Sequence, residues 1–134
     1  MNGGVPIKVV LWILGVLVLL VAVSVPIMNI GMGEVKGLEI GAVDLSKLAD
    51  GTYRGSFKRG RWAYKVEVTI KDHRIEKIVL LDDKWKVMEK VGSELVGRII
   101  QRQSPQVDVV SQATVTSKAL LKAVENALNS EPVN

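Results

Sequence analysis

Residues 62–71, Trp62-Ala-Tyr-Lys-Val-Glu-Val-Thr-Ile-Lys71, decide the fold because large apolar and polar side chains alternate along them. Successive strand residues point to opposite faces of a sheet, so this period of two predicts a strand with one buried face. Residues 52–57 precede it across a Gly-containing turn, and residues 75–81 follow it across a second turn. The three segments predict an antiparallel meander. The lone histidine, His73, lies in the second turn, where we expect a residue that tolerates positive φ.

A first amphipathic helix is predicted from about Lys84, and Pro105 is expected to end it. Asp82 and Asp83 stand directly before it and are interpreted as its N-cap and dipole partners rather than as a cation site. Residues 103–110 follow, and their apolar half is compatible with a further extended strand. The apolar residues that recur at helical spacing are Trp85, Met88, Val91, Leu95, Val96 and Ile99.

A second amphipathic helix is predicted to begin at Thr116 or Ser117 and to end at Leu128, because apolar residues again recur every three or four positions. Strands followed by helices are typical of the α+β class. The predicted fold is therefore a small antiparallel β-meander packed with two amphipathic helices, covering residues 44–129, with a tail at 130–134.

The amino-terminal 30 residues are predicted to form one transmembrane helix. Residues 9–28 carry no charge, and about 20 apolar residues are needed to cross a bilayer as a helix. Lys8 precedes the apolar run, which places the amino terminus inside and the rest of the chain outside, in the periplasm or the extracellular space. The alternative is a cleaved signal peptide, since Ala22-Val23-Ser24 fits a small-x-small cleavage site.

Residues 31–43 are predicted to be a flexible tether, because Gly31 to Gly41 contains four glycines in eleven residues and shows no clear period. A weak strand through Leu38 and Ile40 is the alternative interpretation.

Composition excludes several classes of chemistry. The chain has 134 residues, no cysteine and one histidine, which removes disulfides, thiolate catalysis, zinc fingers, iron–sulfur clusters and sites with paired histidines. The net charge of 18 − 14 = +4 is too small by itself to indicate a nucleic-acid partner. No catalytic or metal-binding residue is predicted.

Residues 53–65 hold four aromatic and five basic residues and no acidic one. This hairpin is compatible with core aromatics on one face and solvated cations on the other, which we favour. An aromatic face for a partner, a platform for single-stranded nucleic acid, or a surface under anionic lipid headgroups are alternatives. The predicted location outside the cytoplasm argues against nucleic acid.

The segment with the strongest chemical pattern is Asp108-Val-Val-Ser-Gln-Ala-Thr-Val-Thr-Ser117, where four hydroxyl residues stand at the entry to the second helix. Free N–H groups and the positive end of the helix dipole favour a phosphate there, and Lys118 adds positive charge. Plain N-capping is the alternative interpretation, although one cap needs only one hydroxyl.

This segment resembles the FMN-binding domain family, which includes the C subunit of the sodium-pumping NADH:quinone reductase and the G subunit of the Rnf complex. The family pattern is Asp, two residues, Ser or Thr, Gly, Ala, Thr, one residue and Thr-Ser, and this sequence departs from it at Gln112, where Gly is usual. Asp50-Gly-Thr-Tyr-Arg-Gly-Ser56 and residues 66–75 fit the opening strands. The resemblance covers residues 44–129.

The resemblance implies that FMN is esterified through its phosphate to Thr114 by a flavin transferase that uses FAD and a divalent cation. Asp108, Ser111 and Ala113 then complete the recognition sequence of the transferase. Thr116 and Ser117 cap the helix and cradle the phosphate. Tyr53, Trp62 or Tyr64 of the hairpin is expected to stack on the flavin ring. The cofactor-binding residues implied in this way are Thr114, Ser111, Ala113, Thr116, Ser117, Asp108, Lys118, Tyr53 and Trp62.

The function implied is that of a membrane-anchored, extracytoplasmic flavoprotein that carries electrons through FMN, as a carrier rather than a free-standing catalyst. Its expected partners are the flavin transferase and membrane redox proteins, such as a quinone-linked reductase or another flavoprotein. The alternative is a non-redox sensing or scaffolding module of the same fold, without covalent flavin, at the membrane surface.

Overall fold

The computed structural model describes residues 3–28, 32–81 and 85–133 of the chain. Its sheet contains four antiparallel strands: β1 (Gly51–Arg59), β2 (Trp62–Lys71), β3 (Arg74–Leu80) and β4 (Pro132–Val133). They lie in the order β3-β2-β1-β4. The predicted meander is confirmed, and residues of the predicted tail add the short edge strand β4 beside β1.

The helices complete an α+β fold, as the sequence predicts. They are α1 (Ile7–Met28), α2 (Met32–Lys36), a 3-10 helix at Leu45–Lys47, α3 (Trp85–Arg102) and α4 (Thr114–Leu128). The extended strand considered for residues 103–110 does not form, although all of these residues are described.

The alternation along β2 is confirmed, because every second side chain from Trp62 to Ile70 is buried. Across the hairpin, Phe57 pairs with Tyr64, and both rings lie on the core side. The hairpin therefore presents its aromatic residues inward and most of its cations to solvent. Asp72 and His73 both have positive φ, of 52° and 60°, as a two-residue hairpin turn requires, so the prediction for His73 is confirmed.

Helix α4 packs closely on the sheet through a row of buried alanines that includes Ala119, Ala123 and Ala127. A Cβ atom at Gly55 in β1 would lie 2.2 Å from the Ala127 nitrogen and 2.5 Å from the Ala123 oxygen. Only glycine fits this approach of strand to helix backbone, and the contact fixes the position of α4 over the hairpin.

Helix α3 ends three residues before Pro105, where Gln103 takes a left-handed φ of 56°. The Gln103 side-chain amide joins this helix end to β3, because its Oε1 accepts from the Ile75 N–H at 2.6 Å and its Nε2 donates to the Ile75 carbonyl at 3.1 Å. Leu95 and Ile99 are buried as predicted. The N-cap pair Asp82 and Asp83, and the side chains of Trp85 and Met88, lie outside the described residues.

The segment predicted to be a flexible tether differs from that expectation, because residues 32–43 pack against the domain. Val35 is fully buried, and Leu38 and Ile40 contact the core. Lys118 Nζ donates to the Leu38 carbonyl at 2.9 Å, and Gln106 Nε2 donates to the Ile40 carbonyl at 2.9 Å. Apolar side chains between the glycines attach this segment to the core, although no strand forms at residues 38–40.

Helix α1 has 22 residues, which corresponds to about 33 Å at 1.5 Å per residue. Its side chains are almost all apolar, and they are exposed. In the part of the chain that the structure describes, one helical stretch is long and apolar enough to cross a membrane, and α1 is its first part.

Candidate functional site

The site lies at the amino-terminal end of α4, which begins at Thr114, two or three residues earlier than the predicted start at Thr116 or Ser117. The N-cap residue is Ala113, and no side chain accepts a hydrogen bond at this cap. The first intrahelical bond runs from the Ser117 N–H to the Ala113 carbonyl at 2.8 Å. Thr116 and Ser117 therefore lie inside the helix and do not cap it, which corrects the role expected for them. The N–H groups before Ser117 stay available at the positive end of the dipole.

A cleft of about 370 Å³ opens at this helix end, a volume within the range of about 300–1,000 Å³ typical of small-molecule sites. One wall is the start of α4 with the residues before it, another is the β1–β2 hairpin and a third is α2. The lining residues are Gln112, Ala113, Thr114, Val115, Thr116, Arg61, Trp62, Met32 and Lys36.

The charge of this cleft is positive. Arg61 and Lys36 line it together with no acidic side chain, and neither forms an ion pair with a described residue. The Arg61 guanidinium lies over the Trp62 ring, with Cζ 4.7 Å from the ring centroid, in cation–π geometry. Two cations and an uncapped helix end make this cleft suited to a phosphate.

A β-turn immediately before α4 determines where Thr114 lies. The Ala113 N–H donates to the Val110 carbonyl at 3.0 Å, and Gln112, at the third position of the turn, has a φ of 65°. A type II turn requires positive φ at this position and therefore favours glycine. Gln112 thus takes the backbone conformation for which the family uses Gly.

Two side chains hold the loop of residues 103–113, called here the α3–α4 loop. Arg98 Nη1 on α3 donates to the carbonyls of Asp108 and Val109 at 2.8 and 3.2 Å. The Ser117 hydroxyl, which is fully buried, accepts from the Val110 N–H at 3.1 Å. The loop is therefore fixed from both helices that it connects.

The structure brings four of the predicted site residues to the cleft: Ala113, Thr114, Thr116 and Trp62. Ser111 is exposed in the adjacent turn. Asp108 is exposed and lines a separate cleft with Arg98 and Arg102. Both exposed side chains are accessible to another protein.

The remaining three predicted residues have structural contacts away from the cleft. Tyr53 is 2% exposed, and its hydroxyl donates to the Ala49 carbonyl at 2.8 Å, so its ring belongs to the core. The Ser117 hydroxyl holds the α3–α4 loop from inside the protein. Lys118 Nζ donates a hydrogen bond to the Leu38 carbonyl. Local sequence suggested a ligand role for each of them, but in the structure all three contact other segments of the chain instead.

Five lining residues were not predicted as site residues: Arg61, Lys36, Met32, Gln112 and Val115. Gln112 and Val115 lie within the motif around Thr114. Arg61 is adjacent to Trp62 in the basic hairpin, so the sequence could have indicated it as a site residue. Lys36 and Met32 lie about eighty positions before Thr114 and carry no local pattern that links them to it.

Residues 61–129 match the FMN-binding domain family. The chain belongs to this family. FMN is therefore its cofactor, and the matched range contains both the hairpin side and the helix side of the cleft. The residues present fit FMN, because the cleft combines cations and free N–H groups for the phosphate with an aromatic lining residue, Trp62.

A relative from Treponema pallidum (strain Nichols), an uncharacterized protein, is 38% identical to this chain over 90 residues. The match covers 62% of this chain and 24% of the relative. The chain thus spans about a quarter of the length of that protein.

Proposed function

We propose that this chain is a membrane-anchored, extracytoplasmic flavoprotein that carries electrons through FMN joined by a phosphoester to Thr114. The observation that carries this proposal is the position of Thr114, which is the first residue of the uncapped helix α4 and lines the positive cleft. Its hydroxyl is thus beside the groups best suited to receive a phosphate.

The attachment step conserves atoms when FAD is the donor. The Thr114 oxygen attacks the phosphorus on the FMN side of the pyrophosphate, the pyrophosphate bond breaks, AMP leaves and the threonine proton is released. A separate flavin transferase supplies this chemistry. Exposed Ser111 and Gln112 in a loop held by Arg98 and Ser117 support recognition by such an enzyme, because it meets an ordered and accessible segment.

The departure at Gln112 is compatible with this proposal. A glycine is usual there because the turn needs positive φ, and Gln112 already has a φ of 65°. The substitution therefore lowers the stability of the turn but leaves the position of Thr114 unchanged. We expect the natural sequence to accept FMN.

Electron carriage follows from the cofactor rather than from catalytic side chains. FMN supplies redox chemistry when bound, and attachment through its phosphate leaves the ring unmodified. The protein binds and orients the cofactor, while donor and acceptor are proposed to be membrane redox proteins. The apolar helix α1 supports a membrane anchor, with the folded part outside the cytoplasm.

Mass spectrometry of chain co-expressed with a flavin transferase tests the covalent link. We expect a gain of FMN minus water that is lost in Thr114→Ala and retained in Thr116→Ala, a matched control that also lines the cleft. An unmodified wild-type chain, or a gain that survives Thr114→Ala, contradicts the proposal.

Redox activity is tested in membranes from the native host. Flavin absorbance on this chain should fall when a respiratory donor is added and recover with a quinone. A flavin that keeps its absorbance under a donor that reduces the other flavoproteins of the membrane contradicts the carrier role and favours sensing or scaffolding.

The absence of cysteine allows a direct test of topology. Lys77→Cys places one thiol at an exposed position of β3, and a membrane-impermeant maleimide should label it in intact cells. Labelling only after the cells are broken contradicts the extracytoplasmic location.

A further inference from the structure

Helix α2 forms a wall of the flavin cleft, although it lies outside the residues that match the family. Met32 and Lys36 line the cleft from this short helix, whereas the family match begins at residue 61. The site therefore includes side chains from the segment that directly follows the apolar helix in the sequence.

The wall is anchored to the folded part of the chain by several independent contacts. Val35, between the two lining residues, is fully buried. Glu34 forms an ion pair with Arg59 of the hairpin. Beyond the helix, Lys118 of α4 holds the Leu38 carbonyl at 2.9 Å. Because α2 is held from both the hairpin and α4, Lys36 has a defined position beside the cleft.

Lys36 is the second cation of a cleft that has no acidic lining residue. The first, Arg61, is stacked on Trp62, and the ammonium group of Lys36 has no ion pair with a described residue. The phosphate of unattached FMN is a monoester and carries a charge of about −1.5 to −2 at neutral pH, and the phosphodiester formed with Thr114 keeps one negative charge. A lysine at this place stabilises that charge in addition to the helix end and Arg61.

We propose that Lys36 is a positioning residue for the FMN phosphate and that α2 completes the cofactor site. Lys36 acts on the phosphate and leaves the ring untouched. The inference rests on the proposed placement of FMN at Thr114, but it makes a prediction about the unmodified chain that does not require a covalent bond.

Affinity for FMN and for riboflavin, which lacks the phosphate, tests this role in the full chain held in detergent and expressed without a transferase. Wild type should bind FMN more tightly than riboflavin. Lys36→Gln should weaken FMN binding by about fivefold, the size expected for a solvent-exposed ion pair of about 1 kcal/mol, and should leave riboflavin binding unchanged. Lys36→Arg should restore the preference for FMN.

Lys77→Gln is the matched control, since Lys77 is an exposed lysine on β3, and it should change neither affinity. Equal loss of FMN and riboflavin binding in Lys36→Gln overturns the inference, because it indicates a structural role. Unchanged FMN binding in that variant overturns it too, as does a wild-type chain that binds FMN no more tightly than riboflavin.

Mass spectrometry of the chain, which detects flavin attached at Thr114, tests the covalent link separately. A wild-type chain that prefers FMN, loses this preference in Lys36→Gln and never gains the flavin mass supports the role of Lys36 and refutes the phosphoester. A chain that gains the mass but shows no effect of Lys36→Gln refutes the role of Lys36 alone.

Discussion

Replacing Gln112 with glycine is expected to stabilise the protein, because Gln112 has a φ of 65° in the turn before α4. The left-handed conformation costs an L-residue about 1–2 kcal/mol relative to glycine. Glycine in turn gives the unfolded chain more conformational freedom, which costs about 0.4–1 kcal/mol. With the middle of each range, the net gain in the free energy of unfolding is about 0.8 kcal/mol.

Thermal and urea unfolding of the full chain in detergent, followed by circular dichroism, measure this gain. For a folded part of about 100 residues, the gain corresponds to a rise in Tm of about 3–6 °C. The urea m-value should not change, because the variant alters a turn and not the surface buried on folding.

Ser111→Gly is the matched control, because Ser111 is the neighbouring exposed residue of the same turn and its φ is not positive. At this position glycine only increases the conformational freedom of the unfolded chain, so we expect the free energy of unfolding to fall by about 0.4–1 kcal/mol. If Gln112→Gly destabilises the protein as much as Ser111→Gly does, the left-handed conformation carries no strain and the reasoning is refuted.

Three further predictions concern packing, the α3–α4 loop and pH. Gly55→Ala should destabilise the protein by about 2–3 kcal/mol because the new Cβ collides with α4. Gly97→Ala, at an exposed and open position of α3, should stabilise it by up to about 1 kcal/mol, and equal effects of the two variants in urea unfolding contradict this. Ser117→Ala should cost about 1–3 kcal/mol in the same assay by leaving a backbone N–H of the loop without its acceptor, and a neutral result refutes that role. Hydrogen bonds from the Ser46 hydroxyl and, secondly, from the Ser46 N–H keep the pKa of Asp44 below its ordinary value of 3.8. The charged Asp44 carboxylate therefore stabilises the folded state fully above the ordinary pKa, and this contribution is lost as the pH falls through the lowered pKa. An NMR titration of Ser46→Ala should show a higher Asp44 pKa, and an unchanged midpoint contradicts the assignment.

Local pattern was sufficient to predict most of the fold. The period of two in β2 gave its buried face, because a strand places alternate side chains on opposite sides whatever its neighbours are. His73 in its turn and the apolar side of α3 at Leu95 and Ile99 were also predicted, for the same local reason. The predicted start of α4 was late by two or three residues, because it depends on a β-turn before Thr114 that no hydrophobic period reveals.

The candidate site was predicted in part. The motif around Thr114 was visible because its residues are adjacent in the chain. Tyr53 was predicted beside the flavin from its residue type, but its pairing in β1 turns it into the core. Lys36 was not predicted, since its proximity to the cleft depends on how residues 32–43 pack against the domain.

The sequence alone determined the order of elements, the apolar amino-terminal helix and the hydroxyl-rich entry to α4, since each depends on neighbours within a few positions. Tertiary structure alone decided which side chains share the cleft, which hydroxyl is buried to hold the α3–α4 loop, and that the segment containing Lys36 joins the site. Contacts between residues some eighty positions apart depend on chain packing, and packing is a property of the whole fold that no local period encodes.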